Sequence, residues 1–422
     1  MYMRLVNTKN QVLKSTIKNA ILNPSQHNTG LWSFAHIPKV SEQFLNELPN
    51  KNFNEIAYDI SCMYNLNKEI GNSTLIDIID KSFDFPIITK QLEKNLSICE
   101  LYHGKSMSFK DIGTSFTSNI IQQINPNQKL KLITATTGDT GSAVASAYYN
   151  IPNIDVHILY PKNKISEIQR KQMTTFDRNI KCYEVNGNFD DCQKIVKKLL
   201  NDKDIKNITT NNSINIGRIL GQLFYYFEMT KNHLDKKINI SIPTGNLGNG
   251  LSCFISKQMG LPINDIILAV NKNSNLPKML NNENANIKNS FKTLSNAIDI
   301  NYPSNFERLE FYLKKDSHIN STITDDKEIL YLIHYLQNKY NIIADPHTAL
   351  AADGLLRKYN IDLYNPNYHN IIVSTADPIK FYNEIDYSKF DLNINKLDDL
   401  LKKKENFISV SNNYDEIKYL IR

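Results

Sequence analysis

The 422-residue chain lacks the patterns that mark several common classes of protein. It has only five cysteines, widely spaced and without a C-x-x-C pair, so neither a disulfide framework nor a zinc site is predicted. No stretch reaches the roughly 18 consecutive apolar residues that a membrane span needs, and the first residues show no signal-peptide pattern. We therefore expect a cytoplasmic protein that does not associate with membranes.

Basic residues are in slight excess but form no stripe. Lys and Arg number 49 against 43 Asp and Glu, a net charge of +6, and the two signs are interspersed along the chain. Nucleic-acid binding is therefore not predicted. The sequence also has neither H-E-x-x-H nor G-x-S-x-G, so the usual signatures of metal hydrolases and esterases are missing.

Hydrophobic residues make up 41% of the chain, and its length favours two or three domains around a cleft. From about residue 130 onward, short apolar segments alternate with Gly-containing loops and amphipathic segments. This alternation predicts right-handed crossover units and a mostly parallel sheet with helices on both faces. The predicted strands are 131–136, 155–160, 181–185, 238–242, 265–270 and 370–374. The predicted helices are 142–149, 166–176, 190–200, 214–229 and 251–259.

The first 95 or so residues differ, with helical stretches and loops but little of that alternation. We therefore predict an N-terminal accessory domain at 1–95, followed by α/β domains at 96–235 and 236–422. Open α/β sheets bind their ligands at the carboxyl ends of the strands. The loops that follow the predicted strands are therefore the candidate binding segments.

Two such loops are rich in glycine. Thr134–Ser142 (TATTGDTGS) and Pro243–Gly250 (PTGNLGNG) each lie between a predicted strand and a predicted helix. Backbone N–H groups in such a turn, with the helix N-terminus behind them, form a cradle for a carboxylate or a phosphate. The glycine spacing of the second loop fits neither a dinucleotide-binding loop nor a P-loop. The alternative for the first loop is an ordinary connection in which Asp139 or Thr140 caps the helix.

Four further segments carry residues that suit a polar site. Asn212–Arg218 (NSINIGR) opens a predicted helix, and its arginine would either bind a phosphate beside an amide and a hydroxyl or lie exposed on a capped helix. His103–Asp111 (HGKSMSFKD) contains Lys110, which on its own is no different from the other lysines. Asp345–Thr348 (DPHT) is interpreted as a helix cap. Ser374–Pro378 (STADP) ends a predicted strand, where a hydroxyl could meet a ligand.

In this order and spacing, the segments resemble those of the threonine synthase family, in its long bacterial and fungal form. The resemblance covers nearly the whole chain and is strongest at HGKSMSFKD, TATTGDTGSAVA, LYPKNKIS, NSINIGRILGQLFYYFE, PTGNLGNG, DPHTA and STADPIKF. It implies fold type II of the pyridoxal 5'-phosphate (PLP) enzymes, the tryptophan synthase β-like fold, with two open parallel-sheet α/β domains and an accessory domain. The implied reaction is a carbon–oxygen lyase reaction that converts O-phospho-L-homoserine and water to L-threonine and phosphate, the last step of threonine biosynthesis.

The resemblance also implies roles for individual residues. Lys110 would form the Schiff base with PLP and act as general acid and base, and Thr375 would hydrogen-bond the pyridine nitrogen. The residues that would cradle the PLP phosphate are Gly245, Asn246, Leu247, Gly248 and Asn249. Those that would hold the substrate carboxylate are Thr136, Thr137, Gly138, Asp139 and Thr140. Those that would surround the substrate phosphate are Asn212, Ser213 and Arg218. No metal and no macromolecular partner is expected, and the assembly would be a monomer or a homodimer.

Three residues depart from the family pattern in the implied site, one of them Thr137, which replaces serine in the carboxylate loop and keeps the hydroxyl. Asp377 stands where the related STAHP motif has histidine, and its carboxylate would either lie near the PLP ring or turn away from it. Leu247 replaces a commonly aromatic residue in a loop that binds through its backbone, so little effect is expected. Two other functions remain open: a dehydratase or cysteine-synthase-like enzyme of the same fold, which would not need Arg218 as a phosphate clamp, and a scaffold that has lost catalysis.

Overall fold

The structure is a computed structural model that describes residues 5–24, 30–285, 290–313, 319–359, 365–387 and 390–422. Its strands are β1 Leu5–Asn7, β2 Lys14–Ser15, β3 Trp32–Phe34, β4 Ile88–Glu93, β5 Leu96–Glu100, β6 Leu130–Ala135, β7 Ile154–Pro161, β8 Ile180–Asn186, β9 Ile208–Thr209, β10 Lys237–Pro243, β11 Ile263–Val270, β12 Ile319–Ile323, β13 Tyr368–Ser374 and β14 Ile408–Ser411. Its α-helices are α1 Ile17–Leu22, α2 Glu42–Glu47, α3 Phe53–Met63, α4 Leu66–Ile70, α5 Asn72–Ser82, α6 Lys110–Ile124, α7 Asp139–Tyr148, α8 Glu167–Thr174, α9 Phe189–Leu200, α10 Ile216–Thr230, α11 Gly248–Met259, α12 Leu276–Leu280, α13 Phe306–Tyr312, α14 Asp326–Tyr340, α15 Pro346–Lys358, α16 Asp398–Lys402 and α17 Tyr414–Ile421.

Two larger sheets carry the fold. One has the strand order β12-β11-β10-β13-β5-β4 and is parallel except for the edge strand β4. The other has the order β14-β8-β7-β6-β9 and is parallel throughout. Helix α15 packs on β10, β11 and β13, while α7 and α9 pack on β6 and β7. The predicted α/β fold with two open parallel sheets is confirmed.

The centre of the larger sheet is apolar across neighbouring strands. Ile240 of β10 lies beside Ile266 of β11 and Ile371 of β13, and none of the three side chains is exposed. Strands covered on both faces need such apolar runs, which is why they could be recognised in the sequence. The predicted strands match the observed ones to within two residues at each end.

Two helices begin one turn earlier than predicted, and both follow the glycine-rich loops. Helix α7 starts at Asp139 rather than at residue 142, and α11 starts at Gly248 rather than at residue 251. Neither helix has a side-chain cap: the residue before α7 is Gly138 with φ +131°, and the residue before α11 is Leu247 with φ +65°. The first-turn backbone N–H groups are therefore not taken up by a cap residue at the loop, although in α7 the Gly141 N–H is bonded to Thr136 Oγ1.

The N-terminal part contains helices α1–α5, as expected, together with a small antiparallel sheet of order β2-β1-β3 that was not predicted. The strands of that sheet span only two or three residues, too few for a visible alternation. Arg308 joins this part to the rest of the chain. Its buried guanidinium donates to Trp32 O at 2.8 Å and to Ile214 O at 2.6 Å.

The division of the chain at residues 95 and 235 stays a prediction, and both larger sheets draw strands from beyond those positions. Strand β4 lies before residue 95 and belongs to the six-stranded sheet. Strand β14, near the C-terminus, joins the five-stranded sheet beside β8. Within the described residues, no helix is long and apolar enough to cross a membrane, and no cluster of side chains suits a metal ion.

We expect Gly250→Ala to destabilise the fold, because the buried Leu268 side chain of β11 would have to shift to admit a methyl group on α11. A Cβ at this position would lie 2.5 Å from Leu268 Cδ2. Overpacking of this kind costs about 1–3 kcal/mol, measured as the free energy of unfolding in denaturant. The double variant with Leu268→Val should recover part of the loss, because the clashing carbon is removed. Additive losses in the double variant would contradict this packing.

Candidate active site

A cavity lies at the carboxyl ends of β6, β10 and β13, which belong to the two larger sheets. It is lined by residues of the predicted site, namely Lys110, Thr136, Thr137, Asp139, Thr140, Asn212, Ser213, Arg218, Gly245, Asn246, Leu247, Gly248, Asn249 and Thr375. The predicted residue that does not line it is Gly138, where a Cβ would fall 2.6 Å from the Gln169 side chain. The structure thus brings the separate motifs to one place, as the rule for parallel sheets requires.

Lys110 is the first residue of α6 and is fixed beside the end of β13. Ser108 and Ala376 form an isolated antiparallel bridge, and Phe109 N donates to Thr375 O at 2.9 Å. These backbone contacts hold the lysine next to Thr375, although the two residues are far apart in the chain. The Lys110 side chain is 15% exposed.

The carboxylate of Asp139 lies between two lysines. Lys110 Nζ is 3.1 Å from Asp139 Oδ2, and Lys380 Nζ is 2.6 Å from Asp139 Oδ1. Lys380 has no exposed side-chain surface, and its Nζ also donates to Ser106 O at 2.8 Å. Gln169 Nε2 donates to Asp139 Oδ1 at 2.9 Å. Each carboxylate oxygen therefore serves a different lysine.

These charges set the protonation of Lys110. Burial lowers the pKa of its amine; the attraction of Asp139 opposes that effect, and the charge of Lys380 adds to it. For Asp139, burial alone would raise the pKa, but Lys110 and Lys380 together hold the pKa of the carboxyl well below its usual range. Asp139 is therefore ionised at neutral pH with Lys380 as a counter-ion, and Lys110 is moved toward the neutral amine. The neutral amine is the form that attacks a carbonyl carbon or accepts a proton.

The loop before α7 is organised by a threonine rather than by a helix cap. Thr136 Oγ1 accepts from Gly138 N at 2.8 Å and from Gly141 N at 2.9 Å. The alternative considered for this loop, a helix cap by Asp139 or Thr140, is wrong, because Gly138 occupies the cap position and Asp139 is already helical. This leaves the Asp139 carboxylate free to bind the lysines.

The loop before α11 has the features of an anion cradle. A Cβ on Gly245 would lie 3.1 Å from Ile298 Cα, so the backbone there approaches its neighbour closely. Asn249 Oδ1 accepts from Tyr225 Oη at 2.6 Å and also from Tyr226 Oη. Its buried Nδ2 makes no hydrogen bond within the described part of the chain. A buried donor of this kind is satisfied by a ligand such as a phosphate oxygen.

The predicted phosphate clamp has one side chain already engaged and one with unused capacity. Asn212 is bound at both ends of its amide to Ala135: its Oδ1 accepts from the backbone N and its Nδ2 donates to the backbone O. Arg218 is 2% exposed and donates from Nη1 to Asn211 O at 2.7 Å. Burial lowers its pKa to about 10, so it remains a cation at neutral pH. Its Nε has no hydrogen-bond partner among the described residues.

Asp377 turns away from the cavity. Its carboxylate accepts from Ile379 N at 3.0 Å and caps the short helix Pro378–Phe381. Burial raises the pKa of this carboxyl, and Asp377 is not among the residues that line the cavity. The sequence left two orientations open for Asp377, toward the PLP ring or away from it, and in the structure its carboxylate turns away from the cavity.

Sequence reasoning missed several residues of the site. Lys380 lies in the quoted STADPIKF segment but was given no role, and His347 of DPHT lines the cavity although the segment was interpreted only as a helix cap. That cap is also present, because Asp345 accepts from the backbone of His347 and Thr348. Ala297 and Ile298 line the cavity from the short 3-10 helix Asn296–Ile298, a segment without any motif.

Comparisons with known proteins agree with this geometry. Residues 80–372 match the family model described as pyridoxal-phosphate dependent enzyme, and residues 4–83 match the model described as threonine synthase N terminus. Threonine synthase of Buchnera aphidicola subsp. Acyrthosiphon pisum is 35% identical over 402 residues, which is 91% of each chain. Threonine synthase of Escherichia coli K12 is 31% identical over 91% of this chain and 90% of its own. The crystal structure of the Escherichia coli enzyme aligns with a TM-score of 0.93, at 28% identity over 99% of both chains.

The fold and the site define a PLP-dependent enzyme of fold type II, and PLP is its cofactor. The cavity residues suit that cofactor. Lys110 supplies an amine of lowered pKa that can bond to the PLP aldehyde, Asn249 has an unpaired donor in the glycine loop, and Thr375 supplies a hydroxyl after β13. Within this class, the chain belongs to the threonine synthase family.

We expect Lys380→Met to raise the pKa of Lys110, because Asp139 then has Lys110 as its remaining lysine partner. Less neutral amine at neutral pH should slow the capture of PLP by the cofactor-free protein, about tenfold for each unit that the pKa rises. The rate is followed by absorbance from pH 6 to pH 10, and its midpoint should move to higher pH. Lys380→Arg keeps the cation and serves as the control. An unchanged pH dependence in Lys380→Met would contradict the role given to this charge.

Proposed function

We propose that the chain converts O-phospho-L-homoserine and water to L-threonine and inorganic phosphate, with PLP held covalently by Lys110. The observation that carries the proposal is the cavity in which Lys110, the glycine loop before α11 and Arg218 meet. A cofactor and a substrate that each carry a phosphate need two anion sites, and the glycine loop before α11 and the cation of Arg218 would supply them.

The chain's own residues would divide the binding as follows. The segment 245–249 would hold the PLP phosphate, with the unpaired Nδ2 of Asn249 as one donor. Thr375 would hydrogen-bond the pyridine nitrogen, and a hydroxyl partner does not force that nitrogen to stay protonated. The segment 136–140 would bind the substrate carboxylate through the first turn of α7. Ser213 and Arg218 would bind the substrate phosphate, and Asn212 would contribute the Nδ2 hydrogen that does not bond to Ala135 O.

Lys110 would hold and move the proton at the substrate Cα. Its amine is moved toward the neutral form by burial and by Lys380, so it accepts a proton and returns it without leaving Asp139 uncompensated. When bound, PLP supplies the delocalisation of the electron pair that remains on the substrate after the proton is removed. Because Arg218 is buried, its charge would be weakly screened and would interact strongly with the leaving phosphate.

We also place the protein in the cytoplasm, acting on a small-molecule substrate as a monomer or a homodimer. The support for a reducing compartment is that all five cysteines are free thiols in the structure.

Product analysis tests the reaction directly. The purified protein is loaded with PLP and given phosphohomoserine, serine or threonine in separate reactions, and phosphate, threonine and ammonia are measured. We expect equal amounts of phosphate and threonine from phosphohomoserine. Ammonia from serine or threonine, without phosphate release from phosphohomoserine, would overturn the proposal in favour of a dehydratase.

Lys110→Ala should lower kcat by about 10³-fold or more, because both the covalent attachment and the proton-transferring amine are lost. The same variant should bind PLP without the absorbance change that the wild-type protein shows. Lys105→Ala, in the same segment but 71% exposed, should behave as the wild type. A PLP spectrum in Lys110→Ala that matches the wild type would contradict the assignment.

Arg218→Ala should reduce kcat/KM for phosphohomoserine, because a buried cation that contacts the substrate phosphate is removed. The expected loss is about 2–4 kcal/mol, or roughly 30-fold to 10³-fold. The matched control is Arg178→Ala, whose side chain is 67% exposed. Binding of PLP should be unaffected in both variants. If kcat/KM is unchanged in Arg218→Ala, the phosphate clamp lies elsewhere.

A further inference from the structure

The imidazole of His347 lies in the wall of the cavity and has no role in the function proposed above. His347 is the second residue of α15, it is 2% exposed, and it lines the cavity together with Lys110 and Thr375. Its ring packs against Phe381, with a centroid distance of 5.4 Å. The position of the imidazole is therefore fixed by the fold.

Asp345 fixes the orientation of this ring. Its Oδ2 is 2.6 Å from His347 Nδ1, and the residue has no exposed surface. The carboxylate is itself held, because it accepts from His347 N, Thr348 N and Thr348 Oγ1 as the cap of α15. Thr348 Oγ1 in turn lies 2.7 Å from Ser374 Oγ, next to Thr375. A carboxylate in this position accepts a hydrogen bond from Nδ1–H, which keeps the proton of the neutral ring on Nδ1 and leaves Nε2 as the nitrogen with a free lone pair.

That second nitrogen is unpaired. Nε2 is buried and makes no hydrogen bond to any of the residues that the structure describes. Buried polar atoms of proteins are nearly always paired, so an unpaired nitrogen in a cavity wall indicates contact with a ligand or a reacting water. The need of this nitrogen for a partner is independent of the helix cap, which uses Asp345 and the backbone.

The charged groups around the pair of His347 and Asp345 come from several elements. Asp345 lies at the start of α15. Asp139 of α7 is close enough to His347 for the histidine to contribute to lowering the pKa of the Asp139 carboxyl. Lys110 shares the cavity, and Lys380 of the short helix reaches the same Asp139 carboxylate. Burial raises the pKa of the Tyr102 and Tyr387 hydroxyls, and the negative charge of Asp345 adds to that effect.

The proposed reaction, on which this inference rests, moves protons at several atoms of the substrate and at water. In the net change, Cγ of the substrate loses phosphate and gains a hydrogen, while Cβ loses a hydrogen and gains the hydroxyl of water. Water must therefore give up a proton as its oxygen bonds to Cβ. An imidazole that is oriented by a buried carboxylate is a suitable base for activating a hydroxyl or a water molecule.

We propose that His347 is the residue that activates the water, with Nε2 as the accepting atom. The O–H bond of water breaks as its oxygen bonds to Cβ, the proton moves to Nε2, and Asp345 stabilises the imidazolium that forms. The proton then passes to the phosphate product, which restores the neutral imidazole. Asp345 is a positioning residue, because it acts through His347.

Product partition in His347→Gln tests this role. If water is not activated, phosphate is still released, and the remaining four-carbon unit leaves as 2-oxobutyrate and ammonia; the atoms balance, since phosphohomoserine and water then give 2-oxobutyrate, ammonia and phosphate. We expect threonine formation to slow by about 10²-fold or more, while phosphate release slows less and KM changes little. Asp345→Asn should shift the products in the same direction. His369→Gln is the matched control, because that histidine is equally buried, bonds to Ser97 Oγ at 2.9 Å and lies outside the cavity.

If His347→Gln forms threonine and phosphate in equal amounts, whether the reaction is fast or slow, the proposal is overturned. A wild-type protein that releases neither product from phosphohomoserine would instead refute the proposed function itself, so the two failures are distinct.

Nitrogen NMR of the cofactor-free protein gives a test that does not depend on turnover. With histidines labelled by ¹⁵N, the His347 signals are assigned by their loss in His347→Gln or in His347→Asn, whichever folds. We expect the proton of the neutral ring on Nδ1 and an unprotonated Nε2, and we expect Asp345→Asn to weaken that preference. A neutral ring with its proton on Nε2 would overturn the proposal.

Discussion

The site depends on the buried carboxylate of Asp139 and on the two lysines that share it. A buried carboxylate with one lysine partner would hold that lysine as an ammonium ion, because separating the pair leaves an uncompensated buried charge. Here Lys380 bonds to one oxygen and Lys110 to the other, at 2.6 and 3.1 Å. Asp139 therefore keeps a counter-ion when Lys110 loses its proton or uses its nitrogen for PLP.

The fold supplies this arrangement through the ends of its parallel strands. Lys110 is brought to β13 by the Ser108–Ala376 bridge, Asp139 opens the helix after β6, and the glycine loop follows β10. The ends of these strands meet at one cavity, where helix N-termini offer unpaired N–H groups to anions.

Arg308 ties the N-terminal part to the same region. It donates to Trp32 O and to Ile214 O, and Ile214 directly follows Ser213. The N-terminal part is therefore joined by hydrogen bonds to the segment that carries the predicted phosphate clamp.

Local patterns carried most of what could be predicted. Buried parallel strands such as Lys237–Pro243 are nearly continuous apolar runs, so their positions followed from the sequence alone. The starts of α7 and α11 were placed one turn late, because Gly138 and Leu247 precede them in left-handed backbone conformations and no side-chain cap marks either start. Lys380 was missed because its partner Asp139 lies 241 residues away in the chain. The position of His347 in the cavity wall was not predicted, because the segment that contains it also forms a helix cap and that cap accounts for its sequence.

The most direct measurement is borohydride reduction of the PLP-loaded protein, followed by peptide mapping of the modified lysine. Two lysines approach the carboxylate of Asp139, and Lys110 alone is assigned to hold the cofactor. We expect a reduced PLP adduct on the peptide that contains Lys110, with Lys380 unmodified. An adduct on Lys380, on another lysine or on none would contradict this assignment.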